Sequence, residues 1–356
     1  MRIGIATLGD HLPDPHTGLA VTPYERFREF VELGVHAEQL GFDTYHVGEH
    51  HFCEYVLSSP TPILAAVAER TSSIRLSTAV ALLSNHDPVR IAEDYATVDQ
   101  ISNGRVELVG GRGVFNALYA QYGQDSAQSA ALLDEAVRLL LRLWTEEHVS
   151  WSGTIRPPLH DVTVYPRPLQ QPHPPVWIST SSEESVDRAV ALGCGMMLAT
   201  ISTGVERQPE LVRRYRDAWR SAGRDPQDAR VGLHVHGFVG PDSTRAARDR
   251  WQPHQRSYLE WVFSLVRAGA VLPPHLADLD HPTSQAVCGS VDDVIEELLR
   301  RLNDIGGVDL LLMQTDQGGL SFDEVIASFE RFASQVVPAL AGSTNSDPAD
   351  DASLTA

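Results

Sequence analysis

Short apolar runs rich in β-branched residues alternate along the chain with longer stretches in which apolar positions recur every three to four residues. The short runs predict strands over residues 2–8, 42–47, 74–81, 105–109, 176–179, 196–200, 231–239 and 308–313. Helical spacing covers 25–40, 62–71, 88–101, 127–144, 183–192 and 208–222 between them, and 322–339 after the last. Gly41, Gly193 and Gly223 each follow the last periodic residue of a helix, where glycine ends the helix in the left-handed conformation. The strands are apolar throughout rather than at alternate positions, the pattern of a parallel sheet covered on both faces. Eight strand–helix repeats predict an α/β fold, a (β/α)8 TIM barrel rather than a doubly wound sheet. No Gly-x-Gly-x-x-Gly opens the first strand–helix turn, which argues further against a dinucleotide-binding sheet.

Two inserts break the rhythm. Residues 146–171 are proline-rich, with a small hairpin expected around Trp151-Ser152-Gly153. Residues 253–290 begin helically and turn irregular around Pro273-Pro274-His275. Long loops on the catalytic face of a barrel serve as lids and substrate walls. The pattern places one domain over residues 1–341 and leaves 342–356, a Gly/Ser/Asp/Pro/Ala segment with almost nothing to bury, as a disordered acidic tail.

With 42% apolar and 21% charged residues, the composition is that of an ordinary globular chain. The charge is more informative. Twenty-eight basic against 47 acidic residues leave −19, which speaks against a nucleic-acid partner. Cys53, Cys194 and Cys288 are odd in number and far apart, neither a disulfide framework nor a zinc spacing, and fit a reducing compartment. The chain enters a strand directly after Met1 with no signal-peptide pattern, and no apolar run approaches the roughly 18 residues of a membrane span. The expected location is cytoplasmic.

In a barrel, the residues just past each strand carry the chemistry. The second strand is followed by Gly48-Glu49-His50-His51, a carboxylate and two imidazoles. The third runs into Ala79-Val80-Ala81-Leu82-Leu83, an apolar shelf, and the fourth into Gly110-Gly111-Arg112-Gly113, a lone arginine among glycines. The fifth runs into Ser179-Thr180-Ser181-Ser182-Glu183-Glu184, hydroxyls entering a helix. Together they suit a flat aromatic ring system that carries a phosphate. Each has a plainer reading: Ser181 with Glu184 as a capping box, the glycine turn as a tight corner, the histidines as structural. His234-Val235-His236 raises a metal-dependent hydrolase, but that class needs His-x-His on the first strand and ligand histidines after the fifth and sixth. The first strand here ends Thr7-Leu8-Gly9, so no catalytic metal is expected.

The stretch from Gly41 through Phe42-Asp43-Thr44-Tyr45-His46-Val47-Gly48-Glu49-His50-His51 resembles the second-strand motif of the bacterial luciferase-like flavin monooxygenases. The resemblance continues through Ile74-Arg75-Leu76-Ser77-Thr78-Ala79-Val80, the segment His86-Asp87-Pro88-Val89-Arg90-Ile91-Ala92-Glu93-Asp94, and the run from Asp99 to Gly113. Pro166-Arg167-Pro168-Leu169-Gln170 and Val287-Cys288-Gly289-Ser290 extend it, and it is weakest over 253–286. It implies a barrel that binds reduced FMN at its C-terminal face, with the ring against Ala79 and Val80 across a cis peptide bond. Gly111 lies beside that ring, and Arg112, Thr180, Ser181 and Ser182 hold the phosphate. His50 is the implied catalytic base or acid, flanked by Glu49 and His51. It further implies O2 as co-substrate, a C4a-(hydro)peroxyflavin, a small and largely apolar organic substrate, a separate NAD(P)H:flavin reductase, and a homodimer formed through helices 62–71 and 88–101.

Two departures stand out. Ala130 replaces a second phosphate-binding arginine common in the family, and Gly111 stands where luciferases have a reactive cysteine. The alternatives within the superfamily are hydride transfer with the deazaflavin F420 and a non-catalytic flavin-binding subunit. The doubled histidine leans toward FMN, and retention of His50 and Arg112 toward an active enzyme. Phe52, Tyr55, Phe115, Trp251, Trp261 and Phe263 are candidates for an apolar mouth, while Asp14, His11 and His16 read as solvated loop.

Overall fold

The computed structural model describes residues 1–198, 203–266, 272–281 and 284–343. Eight strands share one parallel sheet: β1 (Arg2–Thr7), β2 (Thr44–Val47), β3 (Arg75–Thr78), β4 (Leu108–Gly110), β5 (Val176–Thr180), β6 (Gly195–Leu198), β7 (Val231–Val239) and β8 (Leu310–Gln314). β1 lies between β2, with Gly4 opposite Thr44, and β8, with Arg2 opposite Leu310. From β8 the order runs β7, β6, β5, β4, and β3 pairs with β2. Single bridges from Leu76 to Val106 and from Ala81 to Gly110 join β3 to the β4 segment, so the sheet closes into the expected (β/α)8 barrel.

The surrounding helices are α1 (Pro23–Gln39), α2 (Pro60–Ala68), α3 (Pro88–Ile101), α4 (Ser129–Thr145), α5 (Glu183–Leu192), α6 (Gln208–Ser221), α7 (Thr244–Val266), α8 (Val291–Ile305) and α9 (Phe322–Arg331). Proline opens α1, α2 and α3, where its missing N–H has no intrahelical partner to lose. Thr22 and Asp87 cap α1 and α3 by accepting from Glu25 N (3.2 Å) and Val89 N (2.8 Å), worth about 1 kcal/mol each. The apolar stripe Val294, Leu298, Leu302 and Ile305 buries one face of α8.

At the N-terminal end of the barrel, Glu107 accepts from Arg2, from Arg75 and from Trp177 Nε1 (2.9 Å). Burial works against its charge, but these donors hold its carboxyl down at about 2. This pole is a fixed ion cluster. The opposite one is open to chemistry.

The fourth strand is shorter than the expected 105–109 and displaced toward its end. Arg105 spends its guanidinium on the carbonyls of Ala68, Thr71, Ile74 and Ser102, which fixes that residue in the incoming turn. The expected strand over 196–200 is described to Leu198 only, and the tail lies outside the described residues from 344 onward. The expected hairpin exists as Val149–Trp151 against Leu159–Val162, with a longer turn than the three residues around Trp151. A short strand absent from the expected set, Val287–Gly289, pairs with the outer half of β7, Val287 opposite Gly237. The helix expected to start at 253 starts at Thr244 and carries Pro253 inside it.

Candidate active site

Glu49, 2% exposed, stands in the turn that leaves β2. Its Oε1 accepts from His51 Nε2 (2.8 Å) and from His86 Nε2, which arrives from the turn before α3. Its Oε2 accepts from Leu82 N (3.0 Å). Burial alone would raise this carboxyl, but the two imidazoles and the amide outweigh it and bring it to about 2. In return, although burial disfavours its charge, the bond to Glu49 raises His86 above the ordinary histidine value. Tyr122 Oη lies 3.1 Å from His51 Nδ1 and extends the network to the surface.

His50 points the other way. Its ring stacks on Tyr55 with centroids 3.7 Å apart and planes 14° from parallel. Nδ1 is buried without a hydrogen-bond partner. Burial pushes the imidazole down to about 4, with only partial opposition from the Glu49 charge. The ring is therefore neutral near pH 7, an acceptor ready for a proton rather than a stored acid.

His50 opens onto a cavity of about 390 Å³ at the C-terminal ends of the strands. Leu8, Ala79, Val80 and Leu82 form one apolar wall, and Val109, Met197 and Leu312 lie beneath. Tyr258, Val262, Phe263 and Val266 of α7 cover it, so α7 is its lid. Tyr55 Oη and Tyr258 Oη, 2.6 Å apart, tie the lid to the β2 turn. His234 and His236 of β7 also line the cavity, each with Nε2 unpartnered. Burial holds His234 at about 4 and His236 well below the ordinary histidine value. At the far wall Arg112 is half-buried. Among the described residues its guanidinium makes one hydrogen bond, a long one to Ser129 Oγ (3.5 Å), and no carboxylate forms an ion pair with it.

Residues 1–307 match the luciferase-like monooxygenase family. The chain belongs to that family. It is accordingly a flavin-dependent monooxygenase. The oxygenase component of a flavin-dependent trigonelline monooxygenase from Acinetobacter baylyi (strain ATCC 33305 / BD413 / ADP1) is 26% identical over 340 residues, covering 90% of this chain and 92% of that protein. Among solved structures, the monooxygenase RslO1 from Streptomyces bottropensis superposes with a TM-score of 0.79 at 27% identity, over 95% of this chain and 99% of that one. The oxygenating constituent of 3,6-diketocamphane monooxygenase from Pseudomonas putida, in complex with FMN, gives 0.78 at 19% identity, over 95% and 98%. An F420-dependent secondary alcohol dehydrogenase gives 0.71 at 18%, over 96% and 99%; these last two share the fold.

In this luciferase-like monooxygenase the Ala79–Val80 peptide is cis. Glu49, His50, Ala79, Val80, Gly111, Arg112 and Ser181 all line the cavity. Three of the expected site residues do not. His51 stands behind Glu49, Thr180 is buried and donates its hydroxyl to Met197 O (3.1 Å), and Ser182 is the cap of α5. The expected capping box of Ser181 with Glu184 is corrected to Ser182 with Ser185: Ser182 Oγ accepts from Ser185 N (3.3 Å), and Ser185 Oγ accepts from Ser181 N and Ser182 N (both 3.0 Å). Glu184 instead pairs with Arg188, whose position four residues on draws it along the helix surface.

Of the expected mouth aromatics, Tyr55, Phe115 and Phe263 line the cavity, and Trp261 packs on Tyr55 at 4.6 Å. Phe52 is 70% exposed, and Trp251 is buried in a stack on Phe238. His86, Ser179 and Ser185 are site residues that the candidate set lacked. Ser179 opens the hydroxyl cluster read from the sequence and Ser185 lies one helical turn beyond it, so their positions carried a signal. His86 lies 37 residues from the carboxylate it serves, and spacing gave none.

Proposed function

We propose that this chain is the oxygenase component of a two-component system: it takes reduced FMN from a separate NAD(P)H:flavin reductase and uses O2 to oxygenate a small, largely apolar organic substrate. The observation that carries the reading is Arg112, a cation with no ion-pair partner among the described residues, set across an apolar cavity from His50, whose Nδ1 is buried without a hydrogen-bond partner. That donor set fits FMN. Arg112 with the hydroxyls of Ser179 and Ser181 would hold the phosphate, and Ala79 and Val80 would support the ring. Reduced flavin, when bound, supplies the electrons that activate O2. The residues of the chain do the rest. The apolar walls and the α7 lid exclude water. Tyr55 fixes the plane of His50, whose imidazole accepts or returns a proton beside the substrate. Glu49 stays ionised behind it and orients His51 and His86.

The trigonelline enzyme supports the two-component reading through its designation as an oxygenase component. Three free cysteines, Cys53, Cys194 and Cys288, support a cytoplasmic setting, and no helix among the described residues is long and apolar enough to cross a membrane. A homodimer through the α2 and α3 faces belongs to the same proposal; sedimentation at micromolar concentration should give twice the chain mass.

The test is rapid mixing of photoreduced FMN with oxygenated buffer, with and without the protein, following flavin reoxidation. Protein in excess should slow the return of oxidised flavin well beyond the free rate. Reoxidation at the free rate, together with tight binding of F420, would replace the proposal by hydride transfer. His50→Ala should abolish substrate oxygenation while FMN affinity stays within a few-fold, and unchanged turnover would remove its assigned role.

A further inference from the structure

We propose that Asp14, His16 and His254 form a divalent-cation site, suited to zinc, that joins the loop after β1 to the lid helix α7. One ligand atom from each residue lies within 4.8 Å of the other two. The three come from parts of the chain some 240 residues apart, and none of them lines the flavin cavity.

The strongest observation is the state of His254. This residue is fully buried, and its Nδ1 lies 2.9 Å from Gly318 O. A carbonyl only accepts, so Nδ1 carries the proton and Nε2 is left with a lone pair. Nε2 is buried and has no hydrogen-bond partner. An imidazole that donates one N–H to a main-chain carbonyl while its other nitrogen is bare is oriented and polarised as metal-ligating histidines are.

His16 meets His254 ring to ring, edge on, with centroids 5.4 Å apart. Its own ring makes no hydrogen bond among the described residues, and it is exposed, so it is free to turn the remaining distance. Asp14 uses Oδ1 to accept from His16 N (2.7 Å), which folds the loop so that both side chains start from one turn. Two imidazoles and one carboxylate leave a fourth position for water, the donor set of a tetrahedral zinc with ligand–ligand spacings of about 3.3 Å. The charged groups facing His254 are Asp14, His16, Arg250 and Glu324. Arg250, the one permanent cation among them, is held through both oxygens of Glu324, which offsets its charge.

Occupancy would fix α7 at the helical turn just before Tyr258, which lines the cavity. The site is thus a clasp on the lid rather than a second catalytic centre, and it stands whether or not the flavin proposal does.

Metal-stripped full-length protein titrated with zinc chloride in a calorimeter, with thermal unfolding measured in parallel, tests this. His16→Ala and Asp14→Asn, both on the loop surface, are compared with His86→Ala, because Glu49, His51 and His86 also cluster closely enough to bind a cation. The expected result is one zinc equivalent per chain and a raised Tm, with both lost in His16→Ala and Asp14→Asn and kept in His86→Ala. Each loop variant should weaken binding by more than the roughly tenfold cost of losing an outer partner. No uptake by the wild type, uptake unchanged in the loop variants, or loss confined to His86→Ala would each overturn the proposal.

Discussion

Arg112 and His50 face each other across the same cavity, and opposite tendencies of charge and burial set their roles. The guanidinium is half-buried and donates only to Ser129 Oγ, at 3.5 Å, among the described residues, which suits the anion-binding role proposed for it; burial holds the imidazole at about 4. A charge-assisted hydrogen bond to phosphate is worth about 1.5–3 kcal/mol. Arg112→Ala should therefore weaken FMN binding roughly 10- to 100-fold, read by quenching of flavin fluorescence. Riboflavin, which lacks the phosphate, should bind wild type and variant within about twofold if Arg112 acts on the phosphate. Equal losses for both ligands would move the arginine's contact to the ring. At this scale the sequence was legible for residues whose position follows from a strand end, as Glu49, His50 and Arg112 do. It was not legible for His86 or His254, whose roles arise only when loops distant in sequence meet. The helix cap was misassigned by one residue, because Ser181 and Ser182 offer the same hydroxyl and only the backbone turn chooses between them.

At the scale of elements, the loop after β8 is the piece that holds the lid down. Gly318 has φ +65, its N donates to Asp10 Oδ2 (2.9 Å), and its carbonyl receives His254. A Cβ at Gly318 would sit 1.9 Å from His254 O, inside the main chain of α7. Gly318→Ala must therefore push the loop and the helix apart. We expect a loss of more than about 2 kcal/mol, a fall in Tm of several degrees. Gly223→Ala is the control: φ is also positive (+71), but nothing lies within 4 Å, so only about 1 kcal/mol of backbone strain is expected. Comparable losses in both would assign the effect to backbone conformation alone. All eight barrel strands were legible from their continuous apolar character. Val287–Gly289 was not, being three residues long and stabilised by its register on β7 rather than by any pattern of its own.

At the scale of the whole molecule, the barrel keeps an unusual number of imidazoles away from water. His46, His50 and His234 are held at about 4 and His236 well below its ordinary value, in each case chiefly by burial. Unfolded, these groups take protons near pH 6.5; folded, they do so only near 4 or lower. The unfolded chain thus binds more protons across that window, and stability falls as pH drops from about 6.5 toward 4. Asp10, pushed up to about 7 by burial, works the other way, since folding favours its protonated form, and Asp316 is raised in the same sense. His254 is lowered by burial as the other four imidazoles are, while His86, raised by Glu49 against its burial, acts with the two carboxyls; five lowered imidazoles outnumber those three groups. Glu49 and Glu107, held at about 2, add stability that is fully present above about 4.5 and is lost only as pH falls toward 2. Thermal unfolding at pH 7.5, 6 and 5 should show Tm decreasing in that order. A flat or rising Tm would mean that solvent reaches these rings.

The Glu49 cluster also imposes a direction. Because one carboxylate oxygen serves two imidazoles, both His51 Nε2 and His86 Nε2 must present a hydrogen to it. When His51 is neutral, its Nδ1 offers only a lone pair, and Tyr122 Oη donates across that 3.1 Å contact. A hydroxyl at the rim of the protein is thereby coupled to a buried negative charge through a single ring. The Tyr122 oxygen is left with its lone pairs toward solvent, so the rim greets arriving molecules as an acceptor.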